Sequence, residues 1–405
     1  MVILHNLNIV IVGTGYVGLV TGVGFANLKH EVTFIDLDSK KIKLLNEKKL
    51  PFFEPDLDKH FENSENFERM NFLSNYEDVE WDIVDIVFIC VQTPNNVSTN
   101  SVDTKFLESA IGEIASLNRD DIVITVKSTI PPYEIENVCK KIGFNKEKLT
   151  FNPEFLREGS AVYDFFNPDR IVIGGYDQSK INILLELYSD FNCEIIVTDS
   201  VSSQLIKYLA NTYLPLRLTF VNEASRLVNY SNANLEDVLK GVGMDKRIGK
   251  QYFRPSPSWG GSCFPKDLVE VNNFYDNKKL ELPLISNIIK SNNIHLHWTI
   301  NQIMSLKESN NLKNIVLVGA AFKENTDDLR NSPTLDAYKI LNEDDIKVLI
   351  YDSSLSVENH ACVNSVEDIP DNSLIVIMYP LTENEENKLK EKSQISNSVM
   401  YYPWK

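Results

Sequence analysis

Positive charge is scarce in this chain. Its 40 Lys and Arg stand against 57 Asp and Glu over 405 residues, a formal net charge of −17. A nucleic-acid binder needs a basic footprint, and so does a protein drawn to anionic membranes, so neither partner is expected. An anionic ligand must be held by a few local cations or helix N-termini against the overall field. Cysteine is sparse and scattered, at Cys90, Cys139, Cys193, Cys263 and Cys362, with no C-x-x-C. That pattern argues against a disulfide framework and structural zinc, so no metal is expected, and it fits a reducing, cytoplasmic setting. The six histidines form no Ser/His/Asp pattern, and His295 and His297, two apart, face different ways on a helix. Chemistry therefore falls to Cys, Lys, Asp and Glu. Residues 7–28 are largely apolar and long enough for a membrane span, but they contain five glycines. No basic n-region precedes them and no A-x-A-like cleavage site follows, so strand, tight turn and buried helix explain them better. No low-complexity segment occurs.

What is present is an ordinary globular balance, 43% hydrophobic and 24% charged, in a chain long enough for two or three domains. The runs LNIVIV (7–12), VTFID (32–36), IVDIVFICV (83–91) and IVITVKS (122–128) read as buried strands. LTFNP (149–153), RIVIGG (170–175) and EIIVT (194–198) continue the series. Near-continuous apolar strands alternating with helices predict a parallel sheet covered on both faces. Between about 200 and 231 the spacing turns helical for roughly 45 Å at 1.5 Å per residue, with Pro215 inside, where a kink is expected. Such a helix suits a link between domains and a dimer interface; the plainer reading is a domain-core helix. A second α/β pattern starts near Lys313, with strand runs in KNIVLVGAAF, at 346–352 and at 373–379, and without a G-x-G-x-x-G. The expected fold is α/β, two Rossmann-like doubly wound domains joined by a long central helix. The expected parts are 1–198, 199–298 and 299–405.

GTGYVG places Gly13, Gly15 and Gly18 directly after a strand and at a helix start, with Tyr16 and Val17 between them. The first glycine permits the tight turn, the second lets backbone approach a pyrophosphate, and the third allows close helix–strand packing. The helix N-terminus offers N–H groups to phosphate. Asp36 ends the next strand, 18 residues beyond Gly18, near the spacing of a ribose-binding acid, which favours NAD over NADP. Lys41 is the nearby cation that a 2′-phosphate would need, and Asp36 weighs more. NPEFLREG (152–159) follows a strand and carries Glu154, Arg157 and Glu158, suited to proton transfer or sugar hydroxyls, or else a solvated charged loop. KYLANT puts Lys207 and Asn211 four apart on one face of the long helix, able to hold a developing alkoxide, or else an amphipathic helix with a surface lysine. WGGSCFPKD brings Cys263 close to Lys266 and Asp267 behind two glycines. A nearby cation lowers a thiol pKa, yet most lone cysteines are buried fillers, and spacing leaves both readings open.

Taken in order, GTGYVG, CVQTP, KSTIPP, NPEFLREG, FFNPDRIVIGG, KYLANTYLPLRLTFVNE, DKRIG, GGSCFPKD and FKENTDDLRNSP span nearly the whole chain. In this the chain resembles the nucleotide-sugar dehydrogenases of the UDP-glucose/GDP-mannose dehydrogenase family. The resemblance implies an NAD-dependent, two-step oxidation of a primary alcohol to a carboxylate through a cysteine thiohemiacetal and thioester. NPDRIVIGG and the glycine of REG favour the branch acting on UDP-glucose over those acting on GDP-mannose or N-acetylhexosamines. A dinucleotide-binding sensor without catalysis is the rival of another class. By motif, Cys263 resembles the nucleophile, Lys207 and Asn211 the oxyanion-stabilising pair, and Asp267 the carboxylate that orders a water. Thr129 resembles the residue holding that water and Glu158 the second carboxylate, and both also border the cofactor. Gly13, Gly15, Tyr16, Val17, Gly18, Asp36, Lys41, Thr93, Lys266 and Arg330 are the expected cofactor contacts. Glu154, Phe155, Leu156, Arg157, Glu158, Lys207, Asn211, Arg247, Tyr252, Arg254, Ser256, Gly260 and Lys323 are the expected substrate contacts, with Arg247 reaching a neighbouring subunit's substrate. A homodimer through the central helix is implied. Gln92, the proline-rich FRPSPSWGG and the tail MYYPWK, without a closing arginine, depart from the family pattern.

Overall fold

A computed structural model describes residues 6–96, 101–277, 279–342, 346–355, 357 and 360–404. Residues 1–5 of the first expected part and Lys405 of the tail lie outside the described residues. The chain divides into two compact units, Met1–Leu209 and Ala210–Lys405.

In the first unit eight strands form one sheet. They are β1 (Asn8–Val12), β2 (Glu31–Ile35), β3 (Met70–Leu73), β4 (Ile86–Ile89), β5 (Val123–Val126), β6 (Leu149–Phe151), β7 (Arg170–Gly174) and β8 (Glu194–Thr198). Their order is β8-β7-β6-β5-β4-β1-β2-β3, so the winding reverses between β1 and β4, the switch point where ligands of open α/β sheets sit. Successive side chains of β1 serve opposite faces: Ile9 and Ile11 join Phe34 and Phe88 on one side, Val10 and Val12 join Val87 and Ile124 on the other. The expected all-parallel sheet is corrected at one pairing, since β6 and β7 meet antiparallel through Phe151 and Gly174. The NPEFLREG loop and the short α2 (Ala161–Phe166) lie between them, in place of a helix long enough to cross the sheet.

The glycine-rich apolar run resolves into β1, a turn and α1 (Tyr16–Asn27), which is buried along nearly its whole length. A Cβ at Gly22 would fall 2.3 Å from the Phe34 ring, and one at Gly24 2.2 Å from the Phe165 ring. These glycines let α1 press directly onto aromatic neighbours. Among the described residues no helix is long and apolar enough to cross a membrane.

The helix α3 (Ser200–Tyr230) runs 31 residues, starts in the first unit and ends in the second, and its helical backbone continues through Pro215. In the second unit α4 (Phe264–Asn277) and α5 (Ile288–Ser309) precede a five-stranded parallel sheet. Its strands are β9 (Asn314–Val318), β10 (Val348–Tyr351), β11 (Cys362–Val363), β12 (Ser373–Ile377) and β13 (Val399–Tyr401), in the order β11-β10-β9-β12-β13.

The two sheets repeat one local device. The Gly13 N–H donates to Ile35 O at 2.7 Å and the Thr14 N–H to Asp36 Oδ2 at 2.8 Å. Gly319 N–H donates to Tyr351 O at 2.8 Å and Ala320 N–H to Asp352 Oδ2 at 2.9 Å. The second copy is filled by protein. Asp352 also accepts from Ser354 and Leu355 N–H, and a Cβ at Gly319 would lie 2.5 Å from the Tyr379 ring.

Candidate active site

The first glycine turn is shaped by contacts that only glycine permits. Gly13 has φ +98°, and a Cβ there would lie 2.8 Å from Cys90 O; at Gly18 it would lie 1.9 Å from Gly13 O. A Cβ at Gly15 would meet nothing within 4 Å, so the turn is open at its middle glycine. Gly15 caps α1 without a side-chain hydrogen bond, leaving the first-turn N–H groups to face that opening. Asp36 accepts from the Thr14 hydroxyl at 2.7 Å and from Asp38 N–H at 3.0 Å, and Lys41 Nζ stands 3.9 Å away. Burial works against ionisation of Asp36, but these donors and Lys41 outweigh it and hold the carboxyl below its ordinary range. Open backbone, an uncapped helix N-terminus and an ionised acid at the end of β2 together fit a dinucleotide. The Thr93 hydroxyl donates to Thr129 O at 2.8 Å, tying the CVQTP and KST segments together.

The NPEFLREG loop leaves β6 and is held on every side. Asn152 Oδ1 accepts from Lys127 Nζ at 2.8 Å and from the Tyr188 hydroxyl at 2.6 Å, while its amide donates to Val172 O at 2.9 Å. Lys127 is pushed down to about 8, first by burial and further by Lys207, against the pull of Cys90 and Glu154. Glu154 accepts from Lys207 Nζ at 2.7 Å and from Leu156 N–H at 2.6 Å. Phe155 lies beneath two cations, with Arg170 Cζ 3.6 Å and Lys207 Nζ 5.5 Å from its ring centre. Arg157 turns back onto Asp164 of α2, Nε to Oδ2 at 2.9 Å. Thr129 and Lys207 share the wall of a small cavity with Ser128, Pro153 and Gln204.

Glu54, which sequence reading passed over, ties this loop to the glycine turn. Its buried carboxylate accepts from the Tyr16 hydroxyl at 2.5 Å, Gly159 N–H at 2.7 Å and Ala161 N–H at 2.6 Å. It thereby caps α2 from more than a hundred residues away. Burial, then Glu54 itself and Glu158, raise the Tyr16 phenol, so it stays protonated and donates. The only signal in the sequence is an acid set among Pro51, Phe52 and Phe53.

In the second unit Cys263 immediately precedes α4, and its carbonyl accepts from Asp267 N–H at 2.9 Å. Cys263 is the exposed one of the five cysteines, whereas Cys90 and Cys139 are buried, their thiols pushed up by burial to about 12 and about 11. That is opposite to what a core filler would show. One turn into α4, Asp267 is 1% exposed; its Oδ2 accepts from Asn211 Nδ2 at 2.6 Å and its Oδ1 pairs with Lys266 Nζ at 2.7 Å. Lys266 also reaches Glu270 at 3.4 Å. Burial alone would lower Lys266, but Asp267, Glu270 and Cys263 carry it upward, so it is a permanent cation. Gly260 and Gly261 thread the approach: a Cβ on the first would lie 1.9 Å from Asn331 O, and the second has φ +90° against the Phe322 ring.

The remaining expected residues of this unit lie in polar or aromatic pairings of their own. Arg247 meets Asp245 at 2.6 Å, Arg330 meets Asp328 at 2.7 Å, Arg254 lies over Trp404 and Lys323 over Phe322. Tyr252 holds a left-handed backbone at φ 53°, and the Ser256 hydroxyl donates to Ser258 O at 3.1 Å.

The chain belongs to the UDP-glucose/GDP-mannose dehydrogenase family. The family's NAD binding domain matches residues 7–192, its central domain 201–294 and its UDP binding domain 316–398. A UDP-glucose 6-dehydrogenase of Rickettsia prowazekii is 36% identical over 362 residues, covering 87% of this chain and 82% of the relative. The Bacillus subtilis UDP-glucose 6-dehydrogenase YwqF is 36% identical over 370 residues, covering 89% and 83%. A solved UDP-glucose dehydrogenase from Pyrobaculum islandicum superimposes with a TM-score of 0.87 at 27% identity, covering 100% of this chain and 99% of that one.

Proposed function

We propose that this chain oxidises the C6 alcohol of UDP-glucose to the carboxylate of UDP-glucuronate, with two NAD reduced per sugar. The observation that carries this reading is the pairing of an exposed thiol, Cys263, with a buried carboxylate one helical turn away, Asp267, held by Asn211 and Lys266. NAD, when bound, takes up the hydride in each of the two oxidations.

The chain's own residues do the rest. The first oxidation turns the alcohol into an aldehyde and frees one proton. Cys263 Sγ then forms a bond to the aldehyde carbon while its proton passes to the carbonyl oxygen, giving a thiohemiacetal. Loss of a second hydride and a proton leaves a thioester. Water adds to the thioester carbon, the C–S bond breaks, the thiol regains its proton and the acid ionises. Lys207 and Asn211 steady negative charge at the reacting oxygen, Lys207 as the stronger donor. Asp267 and Thr129 order the hydrolytic water, with Glu158 the second carboxylate. Lys266, carried upward by Asp267, Glu270 and Cys263, supplies a cation beside the reacting sulfur.

In this reading residues 1–198 hold NAD, 199–298 carry Cys263, and 299–405 hold the nucleotide sugar. Gly13, Gly15, Tyr16, Val17, Gly18, Asp36, Lys41, Thr93, Lys266 and Arg330 serve the cofactor. Glu154 to Glu158, Arg247, Tyr252, Arg254, Ser256, Gly260 and Lys323 serve the sugar nucleotide. The protein works as a cytoplasmic homodimer. Tyr213, Phe220 and Leu227, seven apart on α3 and 58%, 56% and 67% exposed, supply an apolar stripe for a second copy. The deciding experiment is NADH formation against a panel of nucleotide sugars. Two NADH per UDP-glucose are expected; turnover of GDP-mannose with none of UDP-glucose would overturn the substrate, and NAD binding without any turnover would leave only a sensor.

A further inference from the structure

Lys127, the lysine of KSTIPP, directly follows β5 and is 7% exposed. A lysine so far from water is kept at a cost, and burial pushes it down to about 8. Its Nζ meets an amide rather than a carboxylate, donating to Asn152 Oδ1 at 2.8 Å and reaching Asn152 O at 3.5 Å. The carboxylate whose field reaches it, Glu154, is bonded to Lys207 at 2.7 Å. Lys127 and Lys207 therefore approach one buried acid, Lys207 directly and Lys127 through Asn152.

Asn152 stands just past β6, is 2% exposed and ties three strands together. Its main-chain N–H donates to Val126 O of β5 at 3.0 Å. Its Nδ2 donates to Val172 O of β7 at 2.9 Å, a link beside the Phe151–Gly174 pairing. A carbonyl only accepts, so this bond turns Oδ1 toward the donors on the other side, Lys127 and the Tyr188 hydroxyl at 2.6 Å. Tyr188 comes from the end of the helix Gln178–Leu187 and is 4% exposed. Glu154 follows two residues after Asn152, with Pro153 between them. The proline ring fixes its own φ and restricts Asn152 to extended backbone, so few soft torsions separate the clamp on Asn152 from Glu154. Beyond Glu154, its carboxylate accepts from Leu156 N–H at 2.6 Å, and Arg170 lies 3.6 Å from the Phe155 ring. These later contacts keep the loop on its course, while the clamp at Asn152 sets the point from which it departs.

We propose that Lys127 is a positioning residue for Lys207: by fixing Asn152 it sets where Glu154 holds the Lys207 ammonium against the reacting sugar oxygen. This rests on the reading of Lys207 as the group that steadies that oxygen. A displacement of about 1 Å there can cost on the order of a hundredfold in rate. The experiment uses the full-length chain with Lys127→Met, Tyr188→Phe, Glu154→Gln, Lys207→Ala and the double variant Lys127→Met/Glu154→Gln. It records kcat and KM with UDP-glucose, the NAD dissociation constant and the melting temperature. Lys127→Met is expected to lower kcat at least about tenfold and to leave the NAD dissociation constant within about twofold, because the glycine turn is untouched. Tyr188→Phe removes one of the two bonds to the same Oδ1 and is expected to lower kcat about threefold. Because Lys127 acts through Glu154, its loss should matter little once Glu154→Gln has loosened Lys207. The double variant is expected within about threefold of Glu154→Gln, whereas a lysine that merely supports the fold would cost about tenfold again.

A folded Lys127→Met with kcat within about twofold of the parent would overturn the proposal, and so would a double variant about tenfold below Glu154→Gln. Should Lys127→Met fail to fold, Tyr188→Phe and its own double with Glu154→Gln decide by the same comparison, and an unchanged kcat in Tyr188→Phe would then overturn the proposal. Full activity of Lys207→Ala would overturn the reading of Lys207 and the proposal with it. An impaired Lys207→Ala beside an unaffected Lys127→Met would remove the positioning role alone.

Discussion

Glu154 and Lys207 form an ion pair at 2.7 Å with side chains only 7% and 5% exposed, and the second Glu154 oxygen is taken by Leu156 N–H. Two charges so far out of water are tolerable only together. Lys207→Ala leaves a buried carboxylate without its cation, and a stability loss of about 3–5 kcal/mol is expected in urea unfolding. Pairing it with Glu154→Gln should recover much of that loss, because the uncompensated charge is gone. A Lys207→Ala as stable as the parent would mean the pair is not closed in solution.

The glycine turn makes two opposite predictions within four residues. Gly15→Ala puts a methyl where no protein atom lies within 4 Å, so the melting temperature should hold. The same methyl occupies the backbone's approach to a pyrophosphate, so the NAD dissociation constant should rise at least about tenfold. Gly18→Ala drives its methyl against Gly13 O and should lower the melting temperature itself. Equal NAD affinity in Gly15→Ala and parent, by calorimetry, would place the dinucleotide elsewhere.

Glu54 binds Tyr16 to the start of α2, so its loss should be felt on both sides. Tyr16→Phe removes one hydrogen bond and should cost about 1 kcal/mol. Glu54→Ala strands the part-buried Gly159 N–H and the buried Ala161 N–H, and a buried orphan costs about 1–3 kcal/mol. Chemical denaturation should rank the two variants in that order; an equal or reversed ranking would deny Glu54 its role as the hub.

His295 makes a pH prediction. Its pKa is lowered to about 4, by burial above all, with the bond to Ser256 O working the other way and Arg226 on α3 adding to the drop. The unfolded chain titrates at about 6.5. Below that value the unfolded state binds a proton that the folded state refuses, so stability present above about 6.5 is lost as pH falls toward about 4, by about 3 kcal/mol in total. Paired carboxylates add a fall of the same sign, so the informative quantity is the difference between parent and His295→Gln. Parallel stability curves from pH 7 to pH 4 would contradict a neutral, buried imidazole.

The central strands were legible because each is apolar on both faces, a signal that survives without an alignment. EIIVT at 194–198 has the expected bounds but is the outer strand of its sheet and only partly buried, so the expectation of a buried strand is corrected there. β3, β11 and β13 escaped because they are sheet edges of two to four residues, too short to show a period. The antiparallel turn-back at β7 escaped because its apolar sequence looks the same in either direction. GTGYVG and Asp36 were legible from spacing, since the turn's geometry is local. Glu54 and His295 were not, because their partners lie 38–107 and 39 residues away and nothing nearby marks them. The histidines form no triad pattern, and His295 holds the loop carbonyl of Ser256. For Cys263 the spacing left filler and nucleophile open, and its exposure just ahead of α4 speaks for the second.

The central claim is that Cys263 carries the sugar between the two oxidations. Its most direct measurement is steady-state NADH production by Cys263→Ser with UDP-glucose, alongside NAD affinity of the same variant. The account predicts a kcat at least about a thousandfold below the parent, with the NAD dissociation constant within about twofold, because the nucleotide turn is untouched. Sustained turnover at two NADH per sugar in Cys263→Ser would contradict it.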